Sequence, residues 1–415
     1  MHCNNLLDMN NLGLLSILDG ILFFFVALTV LYILFFSIAS LFYHHADVGK
    51  AKRQNRFIVL IPAYKRDDVI LQSVNSVLGQ TYPQRQFDIV VISDHQSVMT
   101  NMRLAQLPIT LLTPNFEKSS KAKSLQYAIL NLPQFKIYDA VIVLDAGNIV
   151  DPEFLEQVND AYDTSGSKVI QTHRIARNRD TAIARMDATF EEINNALFRS
   201  AHLTVGLSSA LNSSGSVFNF LWFKQNIMKI RSTVGEEKEL EGMLVHDGIF
   251  IDYFEDIHVY DEKTRLIKDF NNQRGRWTYI QLHSLLNYIK FLPSAIMNTR
   301  YDQIDKYIQW MLVPRTIMMG IMAIMSIALP FIYFTLAVKW WIAAALVLFA
   351  FSLVTPNYLV DKNWDRDYLY APLITVGAIL NIFRAGKDEA GNRLDAFSHL
   401  MHKFKFKKKK KKRKK

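Results

Sequence analysis

The chain has 415 residues, half of them hydrophobic, and a formal net charge of +10. That charge is concentrated: residues 403–415 hold eleven Lys and Arg and no acid, and without them the balance falls to −1, so basicity is no argument for a nucleic-acid groove. The single cysteine, Cys3, excludes an intramolecular disulfide and a cysteine-based zinc cluster.

In chain order, residues 1–19 contain no Lys or Arg and read as an extracytoplasmic segment. Residues 20–43 run 24 positions without a charge, which predicts a transmembrane helix. The run is too long for the apolar part of a signal peptide and lacks a basic flank, so it reads as retained. Lys50, Lys52, Arg53 and Arg56 follow it and predict that the middle of the chain is cytoplasmic.

Residues 55–278 change character. RFIVLIPAY, FDIVVIS, PITLLT and YDAVIVL are short apolar runs alternating with helical stretches. That order predicts an α/β domain with a mostly parallel sheet, covered on both faces. Ligands of such sheets sit beyond the C-terminal strand ends. Three polar clusters fall there: residues 63–67, 93–96 and 145–148. Further on, residues 182–199 read as a helix with an acidic pair, Glu191 and Glu192, and GLSSALNSSGSVF reads as a loop near a ligand. A helix follows Gly235, and IDYF and IHVYDE look like edge strands. Residues 279–315 carry an apolar stripe from Ile280 to Leu292, which fits helices in the membrane interface or helices facing a core. Residues 317–360 read as a transmembrane hairpin, and 368–385 as a second interfacial helix. The polybasic tail, 403–415, reads as solvated and suited to anionic lipid headgroups. Nothing repeats internally.

Each chemical cluster is weak alone. Asp94 at a strand end is more often a turn-former than a ligand. Asp145 caps a buried run, which is consistent with a ligand or with a tight turn. GEEKELEGML is a plain helix start with acids near its N-terminus, and QRGRW is a common pentapeptide. Their order is more telling: Asp94, Asp145, acids near 237 and Gln273-Arg274-Gly275-Arg276-Trp277 all lie between a first apolar span and a later hairpin. Here the chain resembles the membrane-integrated family 2 glycosyltransferases, which include cellulose, chitin and hyaluronan synthases and ceramide glucosyltransferase. IPAYKRDD, KAKSLQYAI and DAGNIVDPEFL also resemble segments of that family, and the likeness covers roughly residues 55–300.

The resemblance implies a GT-A fold, Rossmann-like with a mixed, mostly parallel sheet, on the cytoplasmic side of the inner membrane. It implies a UDP-sugar donor and a polysaccharide or lipid acceptor. Ala63, Tyr64, Asp94 and Lys121 would meet the nucleotide, and Asp145 the ribose or a divalent cation, Mg or Mn. Glu237 would be the base that deprotonates the acceptor hydroxyl, and Gln273, Arg276 and Trp277 would flank donor and acceptor. One displacement of this kind inverts the anomeric centre. Two positions depart from the family. Its DxD reads Asp145-Ala146-Gly147, and Gly147 offers a metal nothing. Its usual Asp base is Glu237, one methylene longer. Three spans are few for a secretion channel, which leans toward a lipid acceptor or a short product. A catalytically weak or inactive scaffold that keeps nucleotide binding is the competing expectation; a transporter is not favoured, since the hairpin holds no buried charge marking a substrate path.

Overall fold

The computed structural model describes residues 2–45, 48–133, 135–360, 386–387 and 393–394. A long helix, α1 (His2–Ser40), precedes the sheet domain. The first half of that domain is β1 (Phe57–Tyr64), α2 (Ile70–Leu78), β2 (Phe87–Asp94), α3 (Val98–Ala105), β3 (Thr110–Leu112), α4 (Lys121–Leu130) and β4 (Ala140–Val143). Then come β5 (Ile149–Val150), α5 (Phe154–Ser165), β6 (Val169–Ala176), α6 (Ala182–Asn195), α7 (Ala201–Thr204), β7 (Ser216–Asn219), α8 (Phe220–Ile227), α9 (Glu236–His246) and β8 (Ile251–Asp261). Five helices follow: α10 (Ile267–Tyr288), α11 (Leu292–Met297), α12 (Tyr301–Met311), α13 (Arg315–Ile332) and α14 (Phe334–Val354). A two-residue ribbon pairs β9 (Gly386–Lys387) with β10 (Arg393–Leu394).

The sheet has eight strands in the order β3-β2-β1-β4-β7-β6-β8-β5. Four of its seven pairings are parallel, namely β1 with β2 and β4, β2 with β3, and β6 with β8. The others are antiparallel. The chain is thus mixed α/β with a mostly parallel sheet. In β1, Phe57, Val59, Ile61 and Ala63 join the core under α2 and α5. Ile58 and Leu60 join the core under α4, α8 and α9. Both faces are covered, so an apolar run without polar interruption follows from period-2 alternation between two dry layers. Pro62, which has no N–H to donate, stands beyond the end of the β1–β4 ladder at Leu60↔Val143. Ser97, Ser120 and Thr181 cap α3, α4 and α6 through their hydroxyl oxygens.

The two segments that read as edge strands form one strand, β8, lying between β6 and β5. The boundary at 278/279 falls inside α10, which runs unbroken from Ile267. Among the described residues, three helical stretches are long and apolar enough to cross a membrane: Ser16–Ser40, Arg315–Ile332 and Phe334–Val354. They pack together, with Val26, Val30 and Ile33 of α1 sharing a core with Ala343, Val347 and Ala350 of α14. Buried Asp19 of α1 accepts from Trp340 Nε1 at 2.8 Å and pairs with Lys339. The expected helix at 368–385 and the tail at 403–415 lie outside the described residues.

Candidate active site

Strand order brings the first polar clusters to one edge. Tyr64 and Asp94 are register partners at the ends of β1 and β2, and Ala63 pairs with Ser93. The residues just past both ends, Lys65 and His95, have left-handed backbones, φ 51° and 58°. Such conformations are costly for side-chain-bearing residues and collect at functional sites. Asp94 is fully buried; His95 Nδ1 lies 2.6 Å from its Oδ1, while its Oδ2 has no hydrogen-bond partner. A buried acceptor at a sheet edge with nothing to accept from is suited to a ligand N–H or O–H.

Asp145 follows β4 on the same edge. Its Oδ1 pairs with Lys121, the first residue of α4, and its Oδ2 accepts from Ser213 Oγ at 2.8 Å. The Asp145 N–H donates to Ser214 Oγ at 3.0 Å. The small polar loop before β7 therefore clasps the acid. Lys121 also donates to the Ser213 carbonyl and lies 3.5 Å from Glu236 Oε1. Burial opposes its charge, but Asp145 and Glu236 outweigh that and hold the ammonium above its ordinary pKa.

Glu236 and Glu237 open α9. Glu236 is buried against Lys121, whereas Glu237 is half-buried and, among the described residues, has no hydrogen-bond or ion-pair partner. Gly235 precedes them with φ +77°, and a Cβ there would come within 2.5 Å of Ile280 Cγ2. Only glycine lets α10 lie this close to the start of α9. That contact fixes the helix carrying Gln273, Arg276 and Trp277. Gln273 Oε1 is buried without a partner. Among the described residues, no hydrogen bond or ion pair joins Gln273 or Trp277 to the strand-end cluster.

The motif's inner residue, Arg274, was not among the expected site residues. It donates to Asp187 Oδ1 at 2.6 Å and lies 4.4 Å from the Trp277 ring centre. Its guanidinium thus ties the tryptophan to α6. A second feature missed by sequence reasoning is a buried ionic network beside Asp145. Arg174 of β6 donates to Glu191 Oε2 at 2.8 Å, and its Nη1 lies 3.5 Å from Ser213 Oγ. Lys263 lies 3.0 Å from Asp261 and 3.5 Å from Glu191. Burial alone would raise the Glu191 carboxyl, but Arg174 and Lys263 hold it well below its usual range. The acidic pair on α6 was a legible signal, but its partners were not.

Gly147 has φ +106° and donates its N–H to Ser73 Oγ at 2.8 Å. A Cβ there would stand 3.1 Å from Arg66 Nη2 and 3.3 Å from Val69 Cγ2. The backbone therefore disfavours an acid at 147. Asn148 turns its amide nitrogen to Asp261 Oδ1 at 2.9 Å. Among the described residues no group of three or more His, Cys, Asp or Glu could hold a metal ion. With both oxygens of Asp145 engaged, these residues do not fit a divalent cation held by the protein.

The family described as "Glycosyltransferase like family 2" matches residues 54–279, more than half of the chain. Among solved structures the chain is similar to the mannosyltransferase PcManGT from Pyrobaculum calidifontis in complex with GDP-Man and Mn2+. The identity is 15%, the TM-score 0.55, and the match covers 88% of this chain and 96% of that one. It is also similar to S. aureus TarS 1–349, at 13% identity and TM-score 0.43, over 79% of this chain and 88% of that one. In complex with UDP-GlcNAc that protein matches at 12% identity and TM-score 0.42, over 82% and 99%. The first likeness bears on the fold alone. No curated protein matches the chain.

Proposed function

Because the chain belongs to glycosyltransferase family 2, we propose that it moves a hexose or N-acetylhexosamine from a UDP-sugar to a lipid or polysaccharide acceptor, with inversion, at the cytoplasmic face of the inner membrane. The observation that carries this reading is the meeting of Lys121, Asp145, Ser213 and Glu236 at the carboxyl edge of the sheet, beside the unpartnered Asp94 oxygen. In this reading Asp94, Ala63 and Tyr64 receive the nucleoside, and Lys121 with Asp145 orients the ribose and diphosphate. Glu237 takes the acceptor proton, since a hydroxyl is a poor nucleophile at neutral pH. Its half-buried carboxylate, which lacks a hydrogen bond among the described residues, suits that role better than Glu236, which is buried 3.5 Å from Lys121. Gln273, Arg276 and Trp277 border the acceptor side, and the developing diphosphate charge falls to protein cations. The three apolar helices and the polybasic tail support a membrane location.

The test is release of uridine diphosphate by detergent-purified protein, across a panel of donor sugars with a lipid extract. Glu237→Gln is expected to keep donor binding and lose transfer by about 10²- to 10⁴-fold; transfer at the normal rate removes it as the base. Asp145→Ala is expected to abolish release in a folded protein. A second reading rests on Gly147: a nucleotide-binding scaffold without turnover. It predicts measurable donor binding and no release from any donor.

A further inference from the structure

Resting on that donor-site reading, we infer that the Arg66 guanidinium binds the donor's diphosphate in place of a divalent cation. The side-chain direction of Gly147 points at Arg66 Nη2, 3.1 Å from an ideal Cβ, and the same nitrogen lies 3.5 Å from the Ala146 carbonyl oxygen. A cation therefore stands where a carboxylate at 147 would project. The sign of the charge beside Asp145 is reversed by exchanging an acid that recruits a metal for a base that supplies positive charge itself.

Two further observations support the assignment. First, the backbone of Arg66 is fixed. Its N–H donates to Gln96 Oε1 at 3.0 Å, and its carbonyl accepts from the N–H groups of Val69 and Ile70 at 3.2 and 3.1 Å. The preceding residue, Lys65, is held at φ 51°. The guanidinium thus swings from a rigid anchor at the start of α2. Second, Arg66 differs from the buried cations nearby in having no acidic partner among the described residues. Lys121 faces Asp145 and Glu236, Arg174 faces Glu191, and Lys263 faces Asp261 and Glu191. Arg66 makes no ion pair among the described residues and is exposed. A planar guanidinium offers two parallel donors to a phosphate oxygen pair, a geometry an ammonium lacks.

The experiment is calorimetric titration of the full-length, detergent-purified protein with uridine diphosphate and with uridine, in EDTA and in Mn2+. The expected result is uridine diphosphate affinity in EDTA within about twofold of that in Mn2+. Arg66→Gln should weaken uridine diphosphate binding in EDTA by about 10- to 100-fold, the span of a charge-assisted hydrogen bond, and leave uridine binding unchanged. Arg66→Lys should recover part of the loss. Binding by the wild type only in Mn2+ overturns the inference and leaves the donor site standing. Unchanged uridine diphosphate binding by Arg66→Gln, or equal weakening for uridine and uridine diphosphate, also overturns it. No binding under any condition overturns it together with the donor-site reading.

Discussion

The two halves of the sheet solve burial in opposite ways. In the parallel half, β1 and β4 bury Ile58, Val59, Leu60, Ile61, Val141 and Ile142 completely. Acids of the candidate site stand where strands of this half end, at Asp94 and Asp145. In the mixed half, β6 buries Gln171, Thr172, His173 and Arg174 in succession, each at most 7% exposed. Its charges lie inside the strand body and survive because Glu191 and Asp261 meet Arg174 and Glu192 meets His173, while buried Lys263 shares the first two acids. The parallel half is a scaffold that displays chemistry at its rim. The mixed half carries chemistry in its interior, and each charge there depends on a partner from another element.

The sharpest way to break this comparison is to remove one partner. Glu191→Ala leaves Arg174 and Lys263 buried without their shared carboxylate and is expected to cost about 3–5 kcal/mol. Thermal unfolding in detergent reads it, and a loss no larger than that of a core methyl would sink the contrast. Ile142→Val, in the parallel half, should cost only about 0.5–1.5 kcal/mol, with donor binding unchanged. The smallest effect is a slope. Burial opposes the His173 charge, but Glu192 and the Glu255 carbonyl raise its pKa above the usual histidine value. A raised folded pKa means that this stabilisation is complete below the unfolded value, about 6.5. It is lost as pH rises through the folded value. His173→Gln should flatten that slope in unfolding midpoints measured from pH 5.5 to 8.5; an unaltered slope assigns it elsewhere.

The same contrast explains what could be read from the sequence. Asp94 and Asp145 were legible because an uninterrupted apolar run ends in each, and that pattern marks the rim of a sheet covered on both faces. The loop at 206–218 was legible as polar and small, but its grip on Asp145 through Ser213 and Ser214 was not. Arg174 gave no signal, since an isolated basic residue in a strand reads as solvent-facing, and Lys263 lies in the segment between β8 and α10. Their partners lie on other elements, joined only by the fold. The segments read as edge strands form one interior strand, β8, whose last residue, Asp261, meets the ionic network. In QRGRW, the helix turns Arg274 inward onto Asp187, a rotation that motif spacing does not reveal. Arg66 looked like one more charge in a loop until the backbone at Gly147 gave its position meaning.

The pairing of Asp19 with Lys339 and Trp340 has a consequence for how the chain is made. The acid leaves the ribosome well before its partners, which follow 320 and 321 positions later. At about 5–20 residues per second, Asp19 waits on the order of tens of seconds for its counter-charge. Until then the first apolar helix carries an uncompensated acid, and the whole sheet domain is synthesised in the interval. Closure of this pair therefore comes after the sheet domain has been made, reporting that α14 has reached α1.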